Sequence, residues 1–222
     1  IYESKVSKKN SYLVEEYKKT FSFSYLPSYD GVKIRIKKIK SSEVSINDIK
    51  DKVTKNLQKY VYGTGNVKLE DIISNLIKKK GYSISLAESC TGGFISKSIT
   101  DVAGVSSFFL GSVVAYDNNI KEKILGVSRN KIKNYGAVSK QVCESMAINV
   151  SKKFKSDISI ACSGISGPNS DSSNKPVGLV YITIKYLSEL VTKKFIFKTD
   201  RRSHRIMTKH AALYILWRKL LE

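Results

Sequence analysis

The 222-residue chain predicts an α/β fold: a three-layer α/β/α domain with a mixed, mostly parallel sheet, preceded by a small α+β module. Three observations carry that reading. From Leu69 onward, strand-like apolar runs alternate with amphipathic helical runs, as they do where helices cross over a parallel sheet. Before residue 62 the order is instead helix, strand, strand, helix. Between the two lies YGTGN (62–66), whose two glycines mark a domain boundary and divide the chain into residues 1–65 and 66–222.

Each element follows in order. Residues 10–20 read as a helix. FSFSYLP (21–27) alternates as a strand does, SYDG supplies a turn, and VKIRIKKI (32–39) alternates again with Val32, Ile34 and Ile36 on one side. In SINDIKDKVTKNLQKYV (45–61), Ile49, Val53, Leu57 and Val61 recur at helical spacing behind Ser45 or Asn47 as N-cap. Residues 69–80 form an amphipathic helix closed by Gly81. The strand SISLAES (83–89) follows, then a helix that opens in CTGG and runs to about residue 102. FFLGSVVAY (108–116) is apolar enough for a central strand. Short helices at 120–125 and 129–134, a longer one at 139–154 and a strand at 157–162 come next. The polar loop GISGPNSDSSNKPVG (164–178) leads to an antiparallel pair at 179–186 and 191–198, and an amphipathic helix at 201–221 closes the chain.

Composition narrows the function. The chain carries 39 Lys+Arg against 19 Asp+Glu, a formal net charge of +20. The excess is +7 over residues 1–65 and +13 over 66–222, so it is spread rather than striped, and only six of the basic residues are Arg. That weighs against nucleic acid as a partner. No GXXG loop of the kind that clamps a nucleotide backbone stands between two helices; the near match YGTG falls after the last helix of the module. The best membrane candidate, 105–116, is broken by Ser106, Ser107, Gly111 and Ser112, which excludes a membrane-spanning helix. The first residues lack both a signal-peptide apolar core and an initiator Met, so a piece of a longer cytoplasmic chain is expected. Cys90, Cys143 and Cys162 form no CxxC and suit buried thiols in a reducing compartment. His204 and His210 stand six apart rather than four, so neither a metal site nor a His-based triad is expected.

In sheets of this kind ligands bind beyond the carboxyl ends of strands. Three segments have that placement: AESCTGG (87–93), AYDNNIK (115–121) and CSGISGP (162–168). Small and glycine-containing turns let backbone N–H groups face an anion or oxyanion. Each segment also has a plainer reading. Gly92 and Gly93 suit tight packing, Ser89 suits a helix cap, and Lys121 is one of 33 lysines. Taken singly the plainer reading is the stronger, because short Gly/Ser turns are common at helix starts. Spacing alone reaches a ligand site built from three strand ends, containing Ser, Lys and Tyr and no metal.

AESCTGG, ITDVAGVSSFFLGSVVAYDNNIKEKILGV, YGAVSKQV and SGISGP with KPVG, in this order and spacing, resemble the C-terminal domain of the CinA family of competence/damage-inducible proteins. The likeness runs over residues 66–222. The preceding segment, with SYLPSYDGVKIRIKKI and LQKYVYG, looks like the KH-type middle domain of longer members. Those members begin with a further nucleotide-binding domain, and this sequence is expected to start after it.

The resemblance implies an amidohydrolase, nicotinamide-nucleotide amidase, which converts nicotinamide mononucleotide to nicotinate mononucleotide and ammonia in pyridine nucleotide metabolism. It implies no cofactor, and a homo-oligomer, expected as a dimer. Ser89 would be the nucleophile, Lys121 its general base, and Tyr116 would assist proton delivery to the departing ammonia. Backbone N–H groups across Cys90, Thr91, Gly92 and Gly93 would hold the oxyanion. Ser163 would orient the substrate amide, Arg201 would take the phosphate, and Glu88 would hold backbone or ribose. The chain departs from the family pattern in the loop NSDSSN (169–174) and at Thr199, where a glycine is usual; both bear on loop closure and affinity.

Overall fold

The computed structural model describes residues 3–29, 31–170 and 174–222. Asp30, in the turn expected between the first two strands, and Asp171, Ser172 and Ser173, in the expected polar loop, lie outside the described residues. The chain divides into two compact units, Ile1–Asn66 and Val67–Glu222.

The first unit contains α1 (Glu3–Tyr17), β1 (Phe21–Ser28), β2 (Gly31–Lys38) and α2 (Ile46–Leu57). The strands pair antiparallel, with Phe23 opposite Ile36 and Tyr25 opposite Ile34. Period-two alternation gives this pair one apolar face, which packs on Val6, Leu13, Ile49, Val53 and Leu57 of the helices. α1 starts well before residue 10 because Val6, Asn10 and Leu13 form one buried stripe, and Asn10 Nδ2 donates back to the Val6 carbonyl at 3.0 Å. Ser45, not Asn47, caps α2. Its Oγ accepts from Asp48 N–H at 3.1 Å while the Asp48 carboxylate accepts from Ser45 N–H at 3.0 Å, so two otherwise orphaned donors are satisfied.

The second unit contains α3 (Leu69–Lys80), β3 (Ile84–Glu88), α4 (Phe94–Thr100), β4 (Phe109–Val114), α5 (Asn118–Lys123), α6 (Arg129–Tyr135), α7 (Lys140–Phe154), β5 (Ile158–Gly164), β6 (Leu179–Tyr186), β7 (Glu189–Ile196) and α8 (Arg201–Leu220). The strands form one mixed sheet in the order β4-β3-β5-β6-β7. β4, β3 and β5 are parallel neighbours, β6 runs against β5, and β7 runs against β6. All but β6 therefore point the same way.

Burial follows the pleat. On one face of the sheet Ser85 and Ala87 of β3 lie beside Ser159 and Ala161 of β5. These small side chains let α7 approach, and Ser159 Oγ donates to the Ala147 carbonyl on that helix at 2.7 Å. The opposite face carries Ile84, Leu86, Ile158, Ile160, Ile182 and Ile184, each fully buried, with α8 packed on β5 and β6 and α3 on α8. One helix layer per face makes the three layers. β4 departs from expectation: it is an edge strand, and Leu110 and Val114 stay exposed at 45% and 46%. An apolar run reports how much a strand can bury, not how many neighbours it has, and the centre is held by β3 and β5.

Candidate active site

Because β4, β3 and β5 are parallel and adjacent, their carboxyl ends open on one edge of the sheet. Glu88 is level with Val114 on one side and Cys162 on the other. Beyond that edge lies an open cleft of about 520 Å³. Of the residues expected from sequence, Ser89, Cys90, Tyr116, Lys121, Ser163 and Arg201 line it together. Glu88, Thr91, Gly92 and Gly93 do not.

Ser89 is the first residue beyond β3 and is 7% exposed; its N–H donates to the Cys162 carbonyl at 3.1 Å. The chain then turns sharply, with Gly92 N–H on the Ser89 carbonyl at 3.0 Å, and Gly92 and Gly93 adopt φ of +58° and +89°, a region that favours glycine. Glu88 is fully buried under this turn. One carboxylate oxygen accepts from Thr91 Oγ1 at 2.6 Å and from Ile95 N–H at 3.1 Å, and the other from Ser96 N–H at 2.8 Å and from Ser96 Oγ. It thus holds the N-terminus of α4 rather than facing ribose. Arg205 of α8, not anticipated from sequence, donates through Nη2 and Nε to the Thr91 carbonyl at 2.6 and 3.2 Å and pins the turn from the far side.

Lys121 reaches the cleft because Asp117 caps α5, accepting from Asn119 N–H at 2.7 Å, and so sets Lys121 one turn into the helix. Its side chain is only 2% exposed, and Nζ donates to the Tyr116 carbonyl at 3.0 Å. Burial pulls its pKa below the usual lysine value, against the smaller opposing pull of Asp117. Tyr116, two residues beyond β4, is exposed at the rim. Arg201, at the start of α8, donates from Nη2 to the Tyr116 hydroxyl oxygen at 2.5 Å and from Nη1 to the Gly167 carbonyl at 2.8 Å.

The third wall is the end of β5 and the segment that follows it. Ser163 Oγ donates to the Ala137 carbonyl at 2.8 Å. Lys175 Nζ donates at 2.7 Å to both the Tyr135 and Val138 carbonyls, joining the far end of this loop to the stretch that carries Gly136, Ala137 and Val138 along the cleft. Ser166 also lines the cleft, with His204 of α8 behind it at 2.9 Å. From sequence His204 is weighed only as a metal ligand or triad member and Ser166 is given no role, since their partnership spans 38 residues and no local spacing signals it.

All three cysteines are free thiols and buried. Cys90 hydrogen-bonds Cys162, and that bond with burial holds its pKa well above the ordinary thiol value, which keeps it protonated beside Ser89. Among the described residues no cluster of three His, Cys, Asp or Glu side chains could hold a metal ion, and no helix is long and apolar enough to cross a membrane.

Residues 66–220 match the CinA C-terminal domain family. A CinA-like protein of Dictyoglomus thermophilum is 44% identical over 180 residues, covering 81% of this chain and 44% of its own length. A putative competence-damage inducible protein of Halothermothrix orenii is 41% identical over 82% of this chain and 44% of its own. The chain thus spans less than half the length of these relatives. Among solved structures, a competence or damage-inducible protein from Enterobacter asburiae aligns with a TM-score of 0.68 at 27% identity, covering 69% of this chain and 96% of its own. One from Agrobacterium tumefaciens aligns at 0.64 and 30%, covering 72% of this chain and 100% of its own. The chain belongs to the CinA family, and residues 66–220 are its CinA C-terminal domain.

Proposed function

We propose that the second unit is a nicotinamide-nucleotide amidase, hydrolysing nicotinamide mononucleotide to nicotinate mononucleotide and ammonia. The observation that carries this reading is Lys121: a lysine amine 2% exposed, in the same cleft as Ser89, with its pKa pulled down by burial. A serine hydroxyl attacks a carboxamide only when a base takes its proton, and a lysine acts as that base only when a fraction of it is neutral. The hydrogen bond from Nζ to the Tyr116 carbonyl fixes the amine and directs its lone pair elsewhere.

In this reading Ser89 Oγ attacks the carboxamide carbon as Lys121 takes its proton. Of the four turn residues only Cys90 lines the cleft, and Gly92 N–H already serves the Ser89 carbonyl, so the oxyanion is assigned to the N–H of Cys90, directly after the nucleophile. Arg201 donates to the Tyr116 oxygen, which leaves the phenolic hydrogen to be given to the departing nitrogen. Lys121 passes the Ser89 proton on to the Tyr116 phenolate. It then takes a proton from the attacking water and gives it to Ser89 as the acyl–oxygen bond breaks, and the acid leaves as the carboxylate with its proton going to ammonia. Arg201 keeps further N–H groups for the nucleotide phosphate, and Ser163 presents lone pairs to the amide. Residues 1–65 are read as a KH-type linking module, the molecule as a cytoplasmic homodimer, and nucleic acid is not taken as its ligand.

Ammonia release from nicotinamide mononucleotide by the purified chain, without added metal, is the test. Activity is expected in wild type and a loss of about 10⁴-fold or more in Ser89→Ala. Wild type and Ser89→Ala equally inert would sink the enzyme reading.

A further inference from the structure

His204 is fully buried, and its two ring nitrogens have unequal partners. Nε2 lies 3.1 Å from the Gly178 carbonyl, which can only accept, so Nε2 carries the hydrogen. In the neutral ring Nδ1 is then an acceptor, and Ser166 Oγ at 2.9 Å donates to it. Ser166 therefore shows the cleft only lone pairs. One residue further on, the Gly167 carbonyl holds Arg201, the residue assigned above to phosphate. Ser166, His204 and Arg201 thus gather at one end of the cleft, on one loop and the first turn of α8.

From this geometry we propose that Ser166 and His204 extend the phosphate subsite and that a phosphate-bearing ligand binds with uptake of one proton by His204. The inference rests on the placement of the phosphate given under the proposed function. A phosphate oxygen is an acceptor and meets only lone pairs on Ser166 while the ring is neutral. When Nδ1 takes a proton from solvent it donates to Ser166 Oγ, and the Ser166 hydrogen swings out to the phosphate. Nothing else moves: Nε2 keeps the Gly178 carbonyl throughout. The groups facing the ring pull in both directions, and burial decides for a neutral resting state. They are the Phe197 ring, edge-on at 5.9 Å between centroids, the Gly178 carbonyl, the Ser166 hydroxyl and the Arg201 charge. Burial depresses the imidazole below its usual value against the opposing pull of the Gly178 carbonyl, and the Arg201 charge adds to the depression. A phosphate dianion on Arg201 offsets that charge and favours the imidazolium. Ser166 is then a positioning residue whose hydrogen-bond polarity is set by its neighbour.

With only two histidines in the chain, the Cε1–H resonance of His204 can be assigned by comparison with His204→Gln. Its midpoint is read from pH 5 to 8 in the Ser89→Ala chain, alone, with inorganic phosphate, with nicotinamide mononucleotide and with nicotinamide riboside. The expected result is a rise of about one pH unit with both phosphate-bearing probes and none with the riboside. Ser166→Ala should leave only the smaller part of the rise that comes from offsetting the Arg201 charge, less than half of the wild-type shift, while keeping the resonance dispersion of a folded chain. An unmoved midpoint with saturating phosphate, an equal rise with riboside, or a rise undiminished in Ser166→Ala would each overturn the relay. If inorganic phosphate moves His204 but nicotinamide mononucleotide neither moves it nor is hydrolysed by wild type, the amidase reading fails and the phosphate relay stands.

Discussion

The lysine that the amidase reading needs also destabilises the fold. Lys121 is buried to 2% exposure with a carbonyl for a partner, and its protonated form is disfavoured by lost hydration. A lysine pKa lowered on folding means that the unfolded chain binds the proton more readily. The resulting penalty is fully present below the folded pKa and disappears as pH rises to the ordinary lysine value of about 10.4. Lys121→Met keeps the volume and removes the charge. It should therefore melt higher than wild type by a few degrees at pH 7, corresponding to about 1 kcal/mol, with the gap closing toward pH 10. Amide hydrolysis should fall by about 10³-fold in the same variant. Wild-type kcat/KM should rise with pH and level off below the lysine range. A variant that melts lower than wild type at neutral pH would show that Lys121 is held charged and paired, and would remove it as the base.

At the scale of elements, the nucleophile turn owes its shape to groups below and beside it. Glu88 collects donors from Thr91, Ile95 and Ser96 at the start of α4, and Arg205 of α8 holds the Thr91 carbonyl. Glu88→Ala leaves those donors buried without an acceptor and should lower stability by about 3 kcal/mol in thermal or denaturant melts of the second unit. A loss below about 1 kcal/mol would mean that water or a neighbour replaces the carboxylate. Glu88 shows why a sequence places such residues only in part. AESCTGG marks a ligand-facing turn by its small residues, but the same string does not tell whether its carboxylate faces the cleft or the helix behind it. Element types and order were readable throughout the second unit because period and glycine punctuation are local. The edge position of β4 was not, since Leu110 and Val114 carry the same apolar signal whether or not a strand lies beside them. The start of α1 was missed because its stripe includes a buried Asn10 that satisfies its own amide. Placement at strand ends picks out Ser89, Tyr116 and Lys121, and the family likeness adds Ser163 and Arg201 and supplies the roles, whereas the pairing of Ser166 with His204 and of Arg205 with Thr91 exists only in three dimensions.

At the scale of the molecule, each unit has its own core. Val6, Leu13, Phe21, Ile49, Val53 and Leu57 close the first. Ala87, Ala161 and the inner face of α7 belong to the second, and every residue that lines the cleft lies beyond residue 67. The solved relatives point the same way, for alignments that take in 96% and 100% of their chains take in only 69% and 72% of this one. A chain beginning at Val67 should therefore fold alone, with a single cooperative melt and the near-UV signature of packed aromatics. If the amidase assignment is right, it should hydrolyse nicotinamide mononucleotide with kcat/KM within about twofold of the full chain, since no residue of the machinery has been removed. Comparing the solution mass of the two chains then asks what the first unit does. A dimer that becomes a monomer on truncation gives residues 1–65 the task of association. A dimer that persists places the interface on the second unit. A truncated chain that folds yet loses hydrolysis a hundredfold would show that the cleft is completed by a residue from the first sixty-six, and the assignment of the site to one unit would have to be withdrawn.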